Sequence, residues 1–328
     1  MPGLWPNYIL KEEVAAIHVK SQIFTAASEI FSPKTNQTMT QKILAAMMVI
    51  LMISMIVCSQ TFAQEELDKA QYRFYYDYAW EFDTLTLNDT REDLIILQVG
   101  KNISKSYSYY TFQSDSLRAT PDGDRVFRES FFMVTREQMA RGERPIPPYV
   151  RRMKTMVYKN HPEGEMTVTD AISGSYYIYT DELHSQNWQI TDSTKTILDY
   201  PCQMAISDFR GRRWIAWFAH DIPISDGPWK FSGLPGLIME VFDTEKHFQF
   251  TIVAIEQVEN DPIVFSPVVL EYGIFGKHEE TSRIAFLRGF FRYIHNVAEI
   301  TNAELGHDIF DTSSSGRQQR DFLERDYW

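Results

Sequence analysis

The feature that most limits what this chain can become is a period-two hydrophobic pattern between Tyr200 and Gln257. Successive side chains of a strand point to opposite faces, so alternation reads as a half-buried strand. In "YPCQMAISDF", Cys202, Met204 and Ile206 share one face. "FRGRR" then reverses the chain at Arg210-Gly211. In "WIAWFA", Trp214, Ala216 and Phe218 share one face, and Ile215 and Trp217 share the other. Both faces are apolar, which predicts a strand buried on both sides. "LIMEVFD" and "FQFTIVAIEQV" flank the turn "TEKH" and complete an antiparallel meander.

The preceding chain repeats the logic. "AQYRFYYDYAWEFD" alternates polar and aromatic residues. "REDLIILQVGKNISKSYSYYTF" reads as strands around a turn at Gly100-Lys101-Asn102. "PDGD" (Pro121 to Asp124) is a turn signal, and "VTREQMARGERPIPPYVRR" opens as a short helix that breaks at Gly142 and the prolines. Two strands flank Pro162-Glu163-Gly164, and two more are expected around Asp192-Ser193. One helix is predicted late, over 279–297, with Ile284, Leu287, Phe290 or Phe291, Ile294 and Val297 at helical spacing. The expected fold is mainly β (α+β): a curved antiparallel sheet or partly closed barrel with one late amphipathic helix packed on it. Residues 64–305 form the expected single domain, and 306–328 a polar, mobile tail.

The segment "MTQKILAAMMVILMISMIVCSQTFAQEE" from Met39 has a basic start at Lys42, an apolar run over 43–57, and small residues at Thr61 and Ala63. That is the layout of a secretory signal peptide over 39–63 with cleavage after Ala63. Residues 1–38 then read as a mis-assigned upstream extension, and a lipidated Cys58 is the alternative processing route. The expected address is the periplasm or cell envelope of a Gram-negative bacterium. Beyond the signal segment one cysteine remains, Cys202, so no internal disulfide forms. A formal net charge of -12 disfavours nucleic acid as a partner, since phosphate neutralisation needs a basic surface.

"GPWKFSGLPGLIMEV", Gly227 to Val241, poses the functional question. Pro235 suits position i+1 of a turn and Gly236 would supply the positive φ of a type II turn at i+2. Gly227-Pro228 and Gly233 allow two further bends, with Trp229 and Phe231 as aromatic anchors. The whole run from Tyr200 to Val241 resembles the signature of the GLPGLI family, named for Gly233, Leu234, Pro235, Gly236, Leu237 and Ile238. The Tyr-x-Cys pair, Gly-Arg-x-Trp-x-Ala-Trp and Ile-Pro…Gly-Pro also match, and the resemblance runs from about Gln71 to about Leu305. It implies a signal-bearing envelope protein of unassigned biochemical role.

Motifs for chemistry are sparse. Cys202 alternates with core residues, the eight histidines are singletons, and "FSGLPG" is neither a nucleophile elbow nor a phosphate loop. No catalytic residue, metal site or cofactor is expected. Arg210, Arg212 and Arg213 cluster on one hairpin, Arg210 and Arg212 on one side and Arg213 on the other; they are candidates for an anionic ligand, and pairing with local acids such as Asp208 and Asp226 is the leading reading. Trp214, Trp217, Trp229 and Phe231 are candidates to line an apolar cavity or a partner surface. The leading expectation is a non-enzymatic binding or carrier module for an apolar ligand or an envelope protein. An accessory subunit of an envelope transport complex and an enzyme with a site assembled from distant residues are the alternatives.

Overall fold

The computed structural model describes residues 65–81, 90–120, 122–143, 149–266, 268–269, 275–297, 299–300 and 322–327. The expected upstream extension and signal peptide lie outside these residues. All described residues belong to the compact unit Glu65–Trp328.

A single twelve-stranded sheet dominates. In chain order its strands are β1 (Glu66–Glu81), β2 (Thr90–Val99), β3 (Ser104–Ser108), β4 (Met156–Lys159), β5 (Glu165–Ile172), β6 (Ser175–Glu182), β7 (Gln189–Ile197), β8 (Tyr200–Phe209), β9 (Arg212–Ala219), β10 (Leu237–Asp243) and β11 (Phe248–Val264). A small sheet pairs β12 (Val268–Val269) with β13 (Phe275–Gly276), and β14 (Glu279–Glu280) joins the main sheet beside β6. The spatial order is β14-β6-β5-β4-β3-β2-β1-β11-β10-β9-β8-β7. Every neighbouring pair is antiparallel except β14 and β6. The sheet is open, with edges at β14 and β7, so the mainly β expectation holds and the partly closed barrel gives way to a curved sheet. Register shifts between Ala70 and Tyr72 and between Tyr75 and Tyr76 interrupt the β1–β11 ladder, and such bulges bend a strand.

Alternation sets the core. Phe74, Tyr76 and Tyr78 of β1 are buried on one face, and Tyr78 stacks on Phe250 of β11 with ring centroids 4.3 Å apart. Trp214, Ala216 and Phe218 of β9 join them at 0% exposure. Ile215 and Trp217, expected to be buried on the other face, are only partly covered. Lys195 accounts for some of that cover: its Nζ lies 4.5 Å from the centre of the Trp217 ring and it pairs with Glu240.

Among the described residues three helices form, where a short helical opening before Gly142 and one late helix were expected. α1 (Tyr109–Arg118) and α2 (Gly123–Ala140) occupy a stretch read as strand, turn and short helix. The switch from β3 to α1 occurs at Ser108, whose Oγ accepts from the Thr111 N–H at 3.1 Å and donates to the buried Asp93 at 2.9 Å. An N-cap tied to a residue fifteen positions earlier outweighs the strand propensity of "SYSYYTF". The late helix, α3 (Arg283–His295), starts at the Ser282 N-cap and buries Phe286 against Tyr177 and Tyr179 of β6. The turn expected at Asp192-Ser193 lies instead inside β7, where the ladder to β8 is irregular. The reversal falls at Leu198 and Asp199, both with positive φ.

Candidate functional site

The connection from β9 to β10, residues 220–236, is locked by its own backbone. Leu237 N–H donates to Ile222 O at 3.0 Å, Ile238 N–H to Asp226 O at 3.0 Å, and Phe231 N–H to Pro228 O at 3.1 Å. Asp226 and Ser232 form an antiparallel bridge. Trp229, with φ 51°, donates its N–H to Ser106 Oγ at 2.9 Å.

Lys159, at the end of β4, reaches into this connection. Its ammonium donates to Asp226 Oδ1 at 2.5 Å, Gly227 O at 2.6 Å and Phe231 O at 2.7 Å. All three protons of the ammonium are used, which is what a buried lysine requires. Burial pushes the Lys159 pKa below its ordinary value, against the opposing charge and hydrogen bond of Asp226.

The glycines do not form the type II turn expected at Pro235-Gly236. Gly233 is the one with positive φ, at 89°, and Gly236 has none. Gly236 is required by contact: a Cβ there would lie 2.2 Å from the Ala219 carbonyl oxygen. Leu234, Leu237 and Ile238 are core residues and Pro235 is exposed.

Beside this connection lies a cleft of about 320 Å³. It is bounded by the β2–β3 turn (99–104), Lys159 and Asn160, Leu183 and His184, and Ile224 to Asp226 with Ser232. His184 Nδ1 is 3.0 Å from the buried Ser232 Oγ. His184 has φ 56°, a conformation costly for a residue with a side chain. Among the described residues, Asp226 accepts from both Lys159 and the Gly227 N–H through Oδ1, and Oδ2 makes no hydrogen bond. Ser104 Oγ, also at the cleft, is buried with no hydrogen-bond partner among the described residues. A buried hydroxyl left unpaired costs about 1–3 kcal/mol, so this wall has unspent bonding capacity.

The residues singled out in the sequence are placed elsewhere. Trp214, Trp229 and Phe231 are buried and pack on one another, with centroids 4.7 Å apart for Trp214–Phe231 and 5.1 Å for Trp229–Phe231. They fill the interior instead of lining the cleft, and Trp217 faces the opposite side of the sheet. Arg210 pairs with Asp181 and, at 3.5 Å, Asp326; Arg212 pairs with Asp243 at 2.9 Å. Both guanidiniums are thus met by carboxylates of the chain. Of the local acids expected as their partners, Asp208 lies 4.0 Å from Arg213 and Asp226 pairs with Lys159. Cys202 is buried, and burial raises its thiol pKa. Asp243, Glu245 and His247 bring ligand atoms within 4.8 Å of one another, but the Arg212 guanidinium already sits between the two carboxylates, 2.9 Å and 3.6 Å away. A fixed cation at that spot opposes a second one.

His184, Lys159 and Ser104 escaped the sequence reading. Each is a lone polar residue in a strand or turn; His184 and Lys159 gain a role only through partners 48 to 72 residues away, and Ser104 only through its place in the wall of the cleft. The one local signal was Ser232 directly before the Gly233–Ile238 run.

Residues 210–240 match a family described as a protein of unknown function (Porph_ging). That match spans the β8–β9 turn, β9, the locked connection and the start of β10. No curated protein sequence matches the chain. Among solved structures, PNGF-II in its C2 and P21 crystal forms is similar, at TM-scores of 0.41 and 0.42 and 11% identity. The alignments cover 68% and 69% of this chain and 33% and 34% of PNGF-II, so the chain spans about a third of that protein's length.

Proposed function

We propose that this chain is an exported GLPGLI-type envelope protein that binds a small polar ligand, or a polar side chain of a partner, in the cleft between His184, Ser104 and Asp226. The carrying observation is the cleft itself: a preorganised wall held by Lys159, with bonding capacity left at Ser104 Oγ and Asp226 Oδ2. The leading sequence expectation placed an apolar ligand among the aromatic rings. Their mutual packing moves the reading to the polar cleft, since close-packed rings leave no room for a guest. The volume, about 320 Å³, is at the lower end of ligand pockets.

The test is native mass spectrometry of residues 64–328 purified from a Gram-negative envelope without detergent. A discrete added mass, lost on denaturation and absent from a His184→Ala protein of unchanged melting temperature, supports binding at the cleft. A bare protein mass in every preparation rejects a retained ligand and turns attention to an accessory role in a complex.

One observation favours a second reading. The His184–Ser232 contact is that of a hydroxyl beside a base, the arrangement used in acyl transfer. Labelling of Ser232 by a fluorophosphonate would establish it. An unlabelled Ser232 in folded protein would leave the pair as a structural hydrogen bond.

A further inference from the structure

At the far end of the chain, residues 322–327 lie against the body as a strap. The strap is held by backbone and side chain alike. Arg325 N–H donates to Arg210 O at 2.8 Å, Arg212 Nε to Phe322 O at 2.7 Å, and Arg288 Nε to Tyr327 O at 2.8 Å. The Phe322 ring lies 5.8 Å from Phe290 and 5.6 Å from Phe291 of α3. Glu324 is 4% exposed and bonds Lys230 at 2.5 Å and Arg283 at 2.7 Å. Asp326 pairs with Arg283 at 2.7 Å and Arg210 at 3.5 Å.

The charge balance of this socket is incomplete without the strap. Among the described residues, Arg210 and Lys230 share one carboxylate of the body, Asp181, and Arg283 beside them pairs with carboxylates of the strap alone. The strap's Glu324 and Asp326 supply the other two. Lys230 is 0% exposed, so the socket cannot rely on water to solvate its excess charge. Burial alone would lower the Lys230 pKa, and Glu324, Tyr179 and Asp181 reverse that and hold it above its ordinary value. Burial likewise pushes Asp326 up, but the hydrogen bond and charge of Arg283 and the charge of Arg210 leave it below the usual carboxylate range.

A surface that pairs an aromatic anchor with two carboxylates spaced one residue apart, and takes three backbone hydrogen bonds, has the parts of a peptide-recognition site. We infer that the socket of Arg210, Lys230 and Arg283 recognises a short acidic peptide segment of a partner protein, of the pattern aromatic-x-Glu-x-Asp, and that Phe322–Tyr327 is its resident occupant in cis. The partner's segment enters by displacing the strap. This site is separate from the cleft and stands whether or not the cleft binds a ligand. The two meet in one connection, however: Lys230, which grips Glu324, immediately precedes Phe231, whose carbonyl is held by Lys159. Tethering makes the strap a strong competitor, because a tethered segment acts at an effective concentration of order millimolar.

The experiment uses the full chain with a protease site in place of residues 312–316, nicked after folding. The probe is a fluorescent peptide with the sequence of residues 320–328, and the control peptide carries Gln and Asn in place of its Glu and second Asp. The expected result is uptake of the probe by nicked protein, with the intact chain binding at least about tenfold more weakly and the neutralised control not binding. Arg283→Gln in the nicked chain should weaken uptake while leaving near-UV circular dichroism unchanged. Any of three results overturns the inference: a nicked, folded protein that never exchanges its strap; equal uptake of probe and control; or loss of tertiary structure on nicking, which would make the strap part of the core.

Discussion

A side-chain carbon at Gly236 would lie 2.2 Å from the carbonyl oxygen of Ala219. This single approach explains the second glycine of the Gly-Leu-Pro-Gly run better than turn conformation does, because Gly236 does not have positive φ. The two explanations separate experimentally. Asn tolerates the left-handed region, so a conformational requirement would be largely met by Gly236→Asn. A steric one would not. Gly236→Asn and Gly236→Ala should each lose about 1–3 kcal/mol in urea unfolding, as overpacked sites do. Gly233→Asn, where the nearest atom to a Cβ is 3.6 Å away, should lose under about 1 kcal/mol.

Lys159 is the second lever. Lys159→Ala leaves Asp226 without its counter-charge and two carbonyls, those of Gly227 and Phe231, without the ammonium they accept from. Breaking a buried pair by removing one partner costs about 3–5 kcal/mol. Chemical denaturation should show that loss. Asp226→Asn in the same background should recover part of it, because it removes the orphaned charge.

Lys105 carries a pH signature. It lies on the opposite side of the sheet from the main core, bonded to Val264 O at 3.0 Å and Ser266 Oγ at 2.8 Å, and burial pushes its pKa down to about 7. The unfolded chain holds that proton up to about pH 10. Between these values the unfolded state binds more protons, so stability rises with pH from about 7 and is lost as pH falls through the folded value. Lys105→Met should flatten this slope. The wild-type minus variant difference in unfolding free energy, followed from pH 7 to 9, should grow by about 2 kcal/mol or more.

Gly211 offers a lever on the strap. It shares the β8–β9 turn with Arg210, at φ 75° and 54°, and a Cβ on it would lie 2.9 Å from Arg325 Cβ. Gly211→Asn keeps a residue that accepts the turn but crowds the strap. Hydrogen exchange of the Arg325 amide, which donates to Arg210 O, should speed up about tenfold or more relative to amides of β9. Unchanged protection would mean the strap yields without loosening.

The parts of this protein that depend on neighbours along the chain were legible before folding. Period-two alternation around Trp214, Ala216 and Phe218 is a local consequence of strand geometry, and so the buried face of β9 was legible. The Arg210-Gly211 reversal was legible because turn residues act within a few positions. The late helix was legible from its period, and its Ser282 cap fits the same local logic.

Tertiary structure decided the rest, because the deciding partners are remote. Gly236 is small on account of Ala219, and Lys159 sits in a strand on account of Asp226, 67 residues away. Of the candidate rings, Trp214, Trp229 and Phe231 proved to be filling, which depends on how β8, β9, β11 and the connection converge, a property no single segment carries. The segment "FLERDY" reads as polar tail in isolation. It packs because Lys230, 94 residues earlier in the chain, is buried with a charge that water cannot reach and Glu324 can. Local patterns fix which face of a strand is apolar; the pairing of buried charges is fixed only where distant strands bring them within a few ångströms, since desolvation makes each worthless without the other.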